Sequence, residues 1–219
     1  MKPFKVLNLY ACLGGNRYKW ADCEVTAVEL DPELSRLYQE RFPNDTVITE
    51  DAHEYLLKNY KNFDFIWSSP PCPTHSRLVH TNRDRSAYKL QYPDMRLYQE
   101  IILLQNMYKG LFCVENVVSY YDPLITPQKR GRHYYWTNFK LPLDIGERND
   151  INGIIGKSLG RNFKKVCEFH DYNFKNYKGN QRIDKIAANL VDYEAGLTIF
   201  NTARGIITKS KTSQGEIDF

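Results

Sequence analysis

The sequence predicts an α/β domain, an open parallel sheet with helices on both faces. Short apolar runs alternate with amphipathic helical patterns over the first two thirds of the chain. The alternation has the spacing of strand–helix–strand units, which lay their strands parallel and cover both faces of the sheet. With 219 residues, 42% hydrophobic and 26% charged, the chain has the size and balance of a single globular domain.

Strands are predicted at 5–10, 25–29, 46–49, 63–68 and 111–115, with helices at 32–42, 51–60 and 93–108 between them. Pro32 and Pro93 are placed in the first turn of their helices, where a missing amide costs nothing. In the third helix Leu97, Ile101, Leu104 and Tyr108 form one apolar stripe. An aromatic strand is predicted at 133–139, a loop-like stretch at 140–180, a helix at 181–190, a short segment at 196–201 and a polar tail from Lys209. The expected organisation is one α/β domain over 1–139, a short irregular insertion over 140–180 and a segment, 181–219, that returns to the first.

Composition narrows the classes. The longest unbroken apolar run, Leu9 to Leu13, is five residues, far below the roughly 18 needed to span a membrane. No membrane partner and no signal peptide are expected. Five cysteines, widely spaced and without a C-x-x-C pair, argue against a disulfide scaffold or zinc cluster, and point to the reducing cytoplasm. No metal is expected. The net charge of +4 is compatible with a polyanionic partner without identifying one.

Open parallel sheets bind ligands at the carboxyl ends of their strands. After the first strand comes Tyr10-Ala-Cys-Leu-Gly-Gly15, either an ordinary turn or a loop that brings backbone close to a ligand. Glu29 ends the second strand, where nucleotide folds grip a ribose diol. Asp51 follows the third, as a cofactor contact or simply a helix cap. Both the G-x-G-x-x-G fingerprint and the P-loop are absent, so a nucleoside lacking a long phosphate chain, such as S-adenosylmethionine, fits better. After the fourth strand, Ser68-Ser-Pro-Pro-Cys-Pro-Thr-His-Ser76 sets a cysteine in a proline-stiffened turn, structural or nucleophilic. Glu115-Asn-Val117 closes the fifth strand, and Gln128-Lys-Arg-Gly-Arg132 precedes the next. Along an extended chain Arg130 and Arg132 would face one ligand.

PPC, ENV and Q-x-R-x-R, in that order at strand ends, resemble the cytosine-C5 DNA methyltransferase family over residues 4–140, and more weakly beyond. The resemblance implies a Rossmann-like, S-adenosylmethionine-dependent methyltransferase sheet. It assigns Cys72 as nucleophile, Glu115 as acid, and Arg130 and Arg132 as positioning groups. It assigns the cofactor to Tyr10, Leu13, Gly14, Gly15, Glu29, Leu30, Asp51, Ala52 and Pro71, with Asn189 of the final motif. The implied reaction adds Cys72 to carbon 6 of a cytosine flipped out of duplex DNA. Ser76, Arg77, His80, Arg83, Arg85 and Lys89 suit phosphate contacts or a solvated loop. Over 157–182 seven basic residues, Lys164 and Lys165 among them, stand against two acidic ones. With Phe163, Phe169, Tyr172, Phe174 and Tyr177 interleaved, they suit a nucleic-acid surface.

Three departures from the family stand out: Cys12 and Ala188 occupy usual glycine positions, and the target-reading region is only about 40 residues long. Either the recognised sequence is very short, or a second copy of the chain or another protein assists. RNA, tRNA in particular, is the alternative substrate. A non-catalytic nucleic-acid-binding accessory subunit is the alternative class.

Overall fold

The computed structural model describes residues 2–77, 89, 91–148 and 159–206. Within them a seven-stranded sheet runs in the order β3-β2-β1-β4-β5-β7-β6. The strands are β1 (Phe4–Leu9), β2 (Cys23–Val28), β3 (Thr46–Ile48), β4 (Phe65–Ser68), β5 (Leu111–Val117), β6 (Gln128–Arg130) and β7 (His133–Thr137). The first five are parallel. β7 inserts antiparallel between β5 and the edge strand β6, so the predicted all-parallel sheet becomes mixed at one end. The reversal needs a tight hairpin, supplied at Gly131 with φ +52°. Glycine suits that left-handed conformation, and it leaves room for the Glu147 carboxylate beside the turn.

The helices are α1 (Pro32–Arg41), α2 (Ala52–Asn59), α3 (Arg96–Met107), α4 (Leu159–His170), α5 (Ile183–Asn189) and α6 (Tyr193–Ala203). Residues on each strand alternate between the two faces. Leu7, Leu9, Ile66, Phe112 and Val114 face α2 and α3, while Val6, Phe65, Trp67, Cys113 and Tyr135 face α6. The α3 stripe of Leu97, Ile101 and Leu104 is fully covered, worth ~1.5–3 kcal/mol per side chain. Asp31 and Asp51 cap α1 and α2 by accepting hydrogen bonds from the amides two and three residues on. Pro93 lies outside α3, which starts at Arg96; Asp94 Oδ1 accepts the Arg96 amide there instead, at 3.1 Å.

Two expectations for the last third are overturned. The stretch expected to be loop-like holds the twelve-residue α4 and a 3-10 turn, Phe174–Asn176. The segment at 196–201 is the middle of α6. Val166, Phe169, Phe174 and Tyr177 share one core with Leu13, Leu34, Leu37, Ile186 and Leu190. Phe169, Phe174 and Tyr177 are thus buried against the first loop and α1, and are not a stacking surface for bases. Among the described residues no helix is long and apolar enough to cross a membrane.

Candidate active site

The carboxyl edge of the sheet gathers the candidate residues in two groups. The first lies beyond β1 and β2. Chain reversal after Leu9 uses positive φ at Tyr10, Cys12 and Gly14. Cys12 therefore stands where glycine is the natural occupant, at φ +48°. Its amide is held by Glu29 Oε2 at 2.8 Å, while Glu29 Oε1 accepts the Asp31 amide at 3.0 Å. Burial raises the Glu29 carboxyl above its ordinary range against those hydrogen bonds. Each oxygen keeps a lone pair for a further donor. Gly15 lies so close to the chain between α5 and α6 that a Cβ would come within 2.5 Å of the Val191 carbonyl oxygen. The cleft there is lined by Tyr10, Cys12, Gly15, Asn16, Ser69 and Asn189 among others.

The cofactor assignments divide by exposure. Leu30 is 66% exposed, unusual for a leucine beside a buried strand end, and free to cover a planar ligand. Asn189 and Pro71 are exposed too. Leu13 and Ala52 point into the core, so any contact they make is through backbone. Asp51 acts as the α2 cap, with its second oxygen 3.4 Å from Arg96 Nη1.

The second group lies beyond β4 and β5. Cys72 is half-buried in its turn, where its carbonyl accepts the His75 and Ser76 amides at 3.0 Å. Burial, and then the negative charge of Glu115, push the thiol up to about 11. Asn116 Nδ2 donates to the Pro70 carbonyl at 2.9 Å, tying the cysteine turn to β5. The loops beyond are tied again: Tyr120 donates its amide to His75 O, and His75 Nδ1 lies 2.5 Å from the Tyr121 hydroxyl.

Arg130 and Arg132 do not lie on one extended stretch. Arg130 ends β6, and Arg132 sits with Gly131 in the hairpin turn itself. The Arg130 guanidinium donates to the carbonyls of Lys129, Leu141 and Pro142. It therefore clamps the segment after β7 and does not hold the Cys72 turn. Arg132 is exposed, and its carbonyl accepts the Val118 amide at 3.0 Å. Ser76 bridges to Ser119, and the Arg77 guanidinium reaches the Ser119 carbonyl. Lys89, Lys164 and Lys165 are exposed. His80, Arg83 and Arg85 lie outside the described residues. Those residues contain no group of three or more side chains able to hold a metal ion.

Two sets of residues went unnoticed in the sequence. Buried Glu100 accepts the Tyr10 hydroxyl at 2.5 Å and Ser68 Oγ at 2.6 Å, with His53 Nδ1 at 3.0 Å. This network joins the first loop, β4, α2 and α3. A charged residue on the apolar face of a predicted helix was its only signal. The second set is His133 and Glu147, beside Glu115.

A sheet of this order, with one antiparallel insertion and its ligand loops at the carboxyl edge, defines a methyltransferase-type α/β protein. The chain belongs to the C-5 cytosine-specific DNA methylase family, whose model matches residues 4–122. No curated protein matches it by sequence. Among solved structures, the Entamoeba histolytica methyltransferase EhMeth superposes with TM-score 0.52 at 11% identity, covering 95% of this chain and 100% of that one. A mutant of Spodoptera frugiperda DNMT2 is 25% identical, with TM-score 0.37, over 52% of this chain and 35% of that one. A SAM-dependent methyltransferase from Agrobacterium tumefaciens is 16% identical, with TM-score 0.39, over 55% of this chain and 40% of that one.

Proposed function

We propose that this protein methylates carbon 5 of cytosine in DNA, using S-adenosylmethionine. The observation that carries it is the tie between the Cys72 turn and the end of β5, where Asn116, next to Glu115, donates to the Pro70 carbonyl and the Glu115 charge is felt at the Cys72 thiol. A protein that only bound nucleic acid would have no use for that pairing.

The residues present fit the cofactor. Tyr10, Gly15 and Asn189 line a cleft beside the first loop, Glu29 retains acceptor capacity for ribose hydroxyls, and Leu30 offers an uncovered apolar face. S-adenosylmethionine, when bound, supplies an electrophilic methyl group on a sulfonium. Carbon 5 of cytosine is too weak a nucleophile to attack such a group unaided. The Cys72 thiolate adds to carbon 6 with its electron pair. The C5=C6 pair shifts to C4=C5, and the C4=N3 pair comes to rest on N3, where Glu115 delivers a proton. Once carbon 5 carries the methyl group, loss of its proton and expulsion of the Cys72 thiolate restore the ring. Arg132, exposed in the hairpin turn, is the arginine available to hold the base. Arg77, Lys164 and Lys165 are proposed phosphate contacts, and reaching the base requires flipping it from the duplex.

The test is mass spectrometry of nucleosides from duplex DNA and from tRNA, each incubated with protein and S-adenosylmethionine, with Cys72→Ala as control. 5-Methylcytosine in DNA, absent with the variant, is expected. Product in tRNA alone would keep the chemistry and replace the substrate. Product in neither polymer would overturn the proposal in favour of an accessory role.

A further inference from the structure

Glu115 and Cys72 need opposite protonation states. The carboxyl must carry a proton to give to N3, whereas the thiol must lose one to attack. An ordinary glutamic acid, with a pKa of about 4.3, is ionised at neutral pH. Here its negative charge also opposes formation of the thiolate beside it. Something must keep a proton on Glu115.

His133 is placed to do so. It stands on β7 on the same face as Tyr135, which is the direct cross-strand partner of Glu115. Its Nε2 lies 3.7 Å from Glu115 Oε1, and its Nδ1 lies 3.2 Å from Glu147 Oε1 on the other side. All three side chains are largely buried, at 26% exposure for His133, 10% for Glu115 and 15% for Glu147. The groups facing this set are the Cys72 thiol beside Glu115, Arg130 in register with His133 on β6, Arg132 next to it, and Tyr135. Burial alone would lower the imidazole pKa. The Glu147 contact and the charges of Glu115 and Glu147 outweigh burial and Arg132, and hold it above its ordinary value. A carboxylate behind an imidazole fixes the ring and favours its protonated form.

We infer that His133 is a positioning residue that shares a single proton with Glu115, with Glu147 anchoring its far side. Resting on Glu115 as the acid, the inference adds the source of its proton. Imidazolium with carboxylate, and imidazole with carboxylic acid, are two forms of one pair. As the Sγ–C6 bond forms, the shared proton passes from Glu115 to N3, leaving the Glu115 carboxylate beside a neutral imidazole. When N3 gives its proton back to Glu115 the pair is restored, while the C5 proton, the one that methyl transfer releases, leaves separately to water. The 3.7 Å separation would close in the substrate complex, as hydrogen bonds at reacting groups commonly do.

Two measurements test this. NMR titration of the His133 ring in the free protein should give a midpoint above 6.5 that falls by about one unit in Glu147→Gln and in Glu115→Gln. In His133→Gln, kcat for methyl transfer should fall about tenfold for each pH unit through the neutral range. Wild type should stay level there, with KM for nucleic acid unchanged, and Glu147→Gln should lie between the two. A ring whose titration ignores both carboxylates, or a His133→Gln profile parallel to wild type, would overturn the inference. If wild type methylates neither polymer, methyl transfer itself is wrong, and the NMR titration still decides whether the proton is shared.

Discussion

The two halves of the carboxyl edge are built differently. Beyond β1 and β2, side chains hold backbone close by in the fold: Glu29 fixes Cys12 and Asp31, and Asp31 and Asp51 cap the helices they open. Beyond β4 and β5, the ties run between loops far apart in sequence. Asn116 holds Pro70, Tyr120 holds His75, and His133 stands between Glu115 and Glu147. A ligand pocket tolerates local construction because it must only present a surface. A reacting pair needs two groups from different strands fixed relative to each other, and only long-range contacts supply that.

Substitutions should separate the halves. The largest expected effect is Cys72→Ala, which should lower methyl incorporation by about 10⁴-fold or more while calorimetry finds cofactor affinity nearly unchanged. Loss of affinity in that variant would mean the halves are not separable. Gly15→Ala should do the reverse. Its Cβ would crowd the Val191 carbonyl, costing about 1–3 kcal/mol of stability and weakening cofactor binding, with alkylation of Cys72 by iodoacetamide unaffected.

Asn116→Ala strands the Pro70 carbonyl and should cost about 1–3 kcal/mol in denaturant unfolding. It should also lower kcat more than any KM, because it loosens the turn and not the ligand surface. Wild-type alkylation of Cys72, followed by peptide mass spectrometry, should rise with pH up to about 11. A plateau near pH 8.5 would show the thiol to be less enclosed than its burial implies.

The most regional effect concerns His170, pushed down to about 3 by burial first and then by Arg148 and Arg41. Its folded pKa lies below the unfolded value of about 6.5. Its contribution is therefore complete above pH 6.5 and is lost as pH falls toward 3, at up to ~1.4 kcal/mol per unit. His170→Phe should flatten that acid limb in thermal melts. An unchanged limb would place the acid sensitivity elsewhere.

The first half was also the more legible in sequence. α1 and α2 were expected at 32–42 and 51–60 and occur at Pro32–Arg41 and Ala52–Asn59, because proline and aspartate mark their starts. Likewise PPC and ENV point to Cys72 and Glu115, which the structure sets on turns tied to each other, since motif order survives without coordinates. What the sequence hid depends on partners distant in the chain. The Arg130–Arg132 spacing reads as an extended strand unless the turn at Gly131 is known. α4 was missed although Phe163, Val166, Cys167 and His170 repeat at helical intervals, because its frequent lysines suggested a solvated loop. Glu100 has only its charge on an apolar helix face as a local signature, and His133 has none. Each becomes informative only once the sheet brings its partners near.

The close approach of α6 to the first loop bears on where this chain can be cut. Gly196 touches the Asn16 backbone so closely that a Cβ would sit 2.4 Å from its carbonyl oxygen, and Trp20 donates its indole N–H to the Gly196 carbonyl at 3.1 Å. Ile199 and Phe200 then seal one face of the sheet over Val6, Phe65 and Trp67. A fragment ending near residue 122 would carry the reacting pair but leave that face bare, along with the α1 flank that α4 covers. Such a fragment should be recovered as aggregate, so the final third of the chain serves as a strap without which the catalytic edge has no folded support.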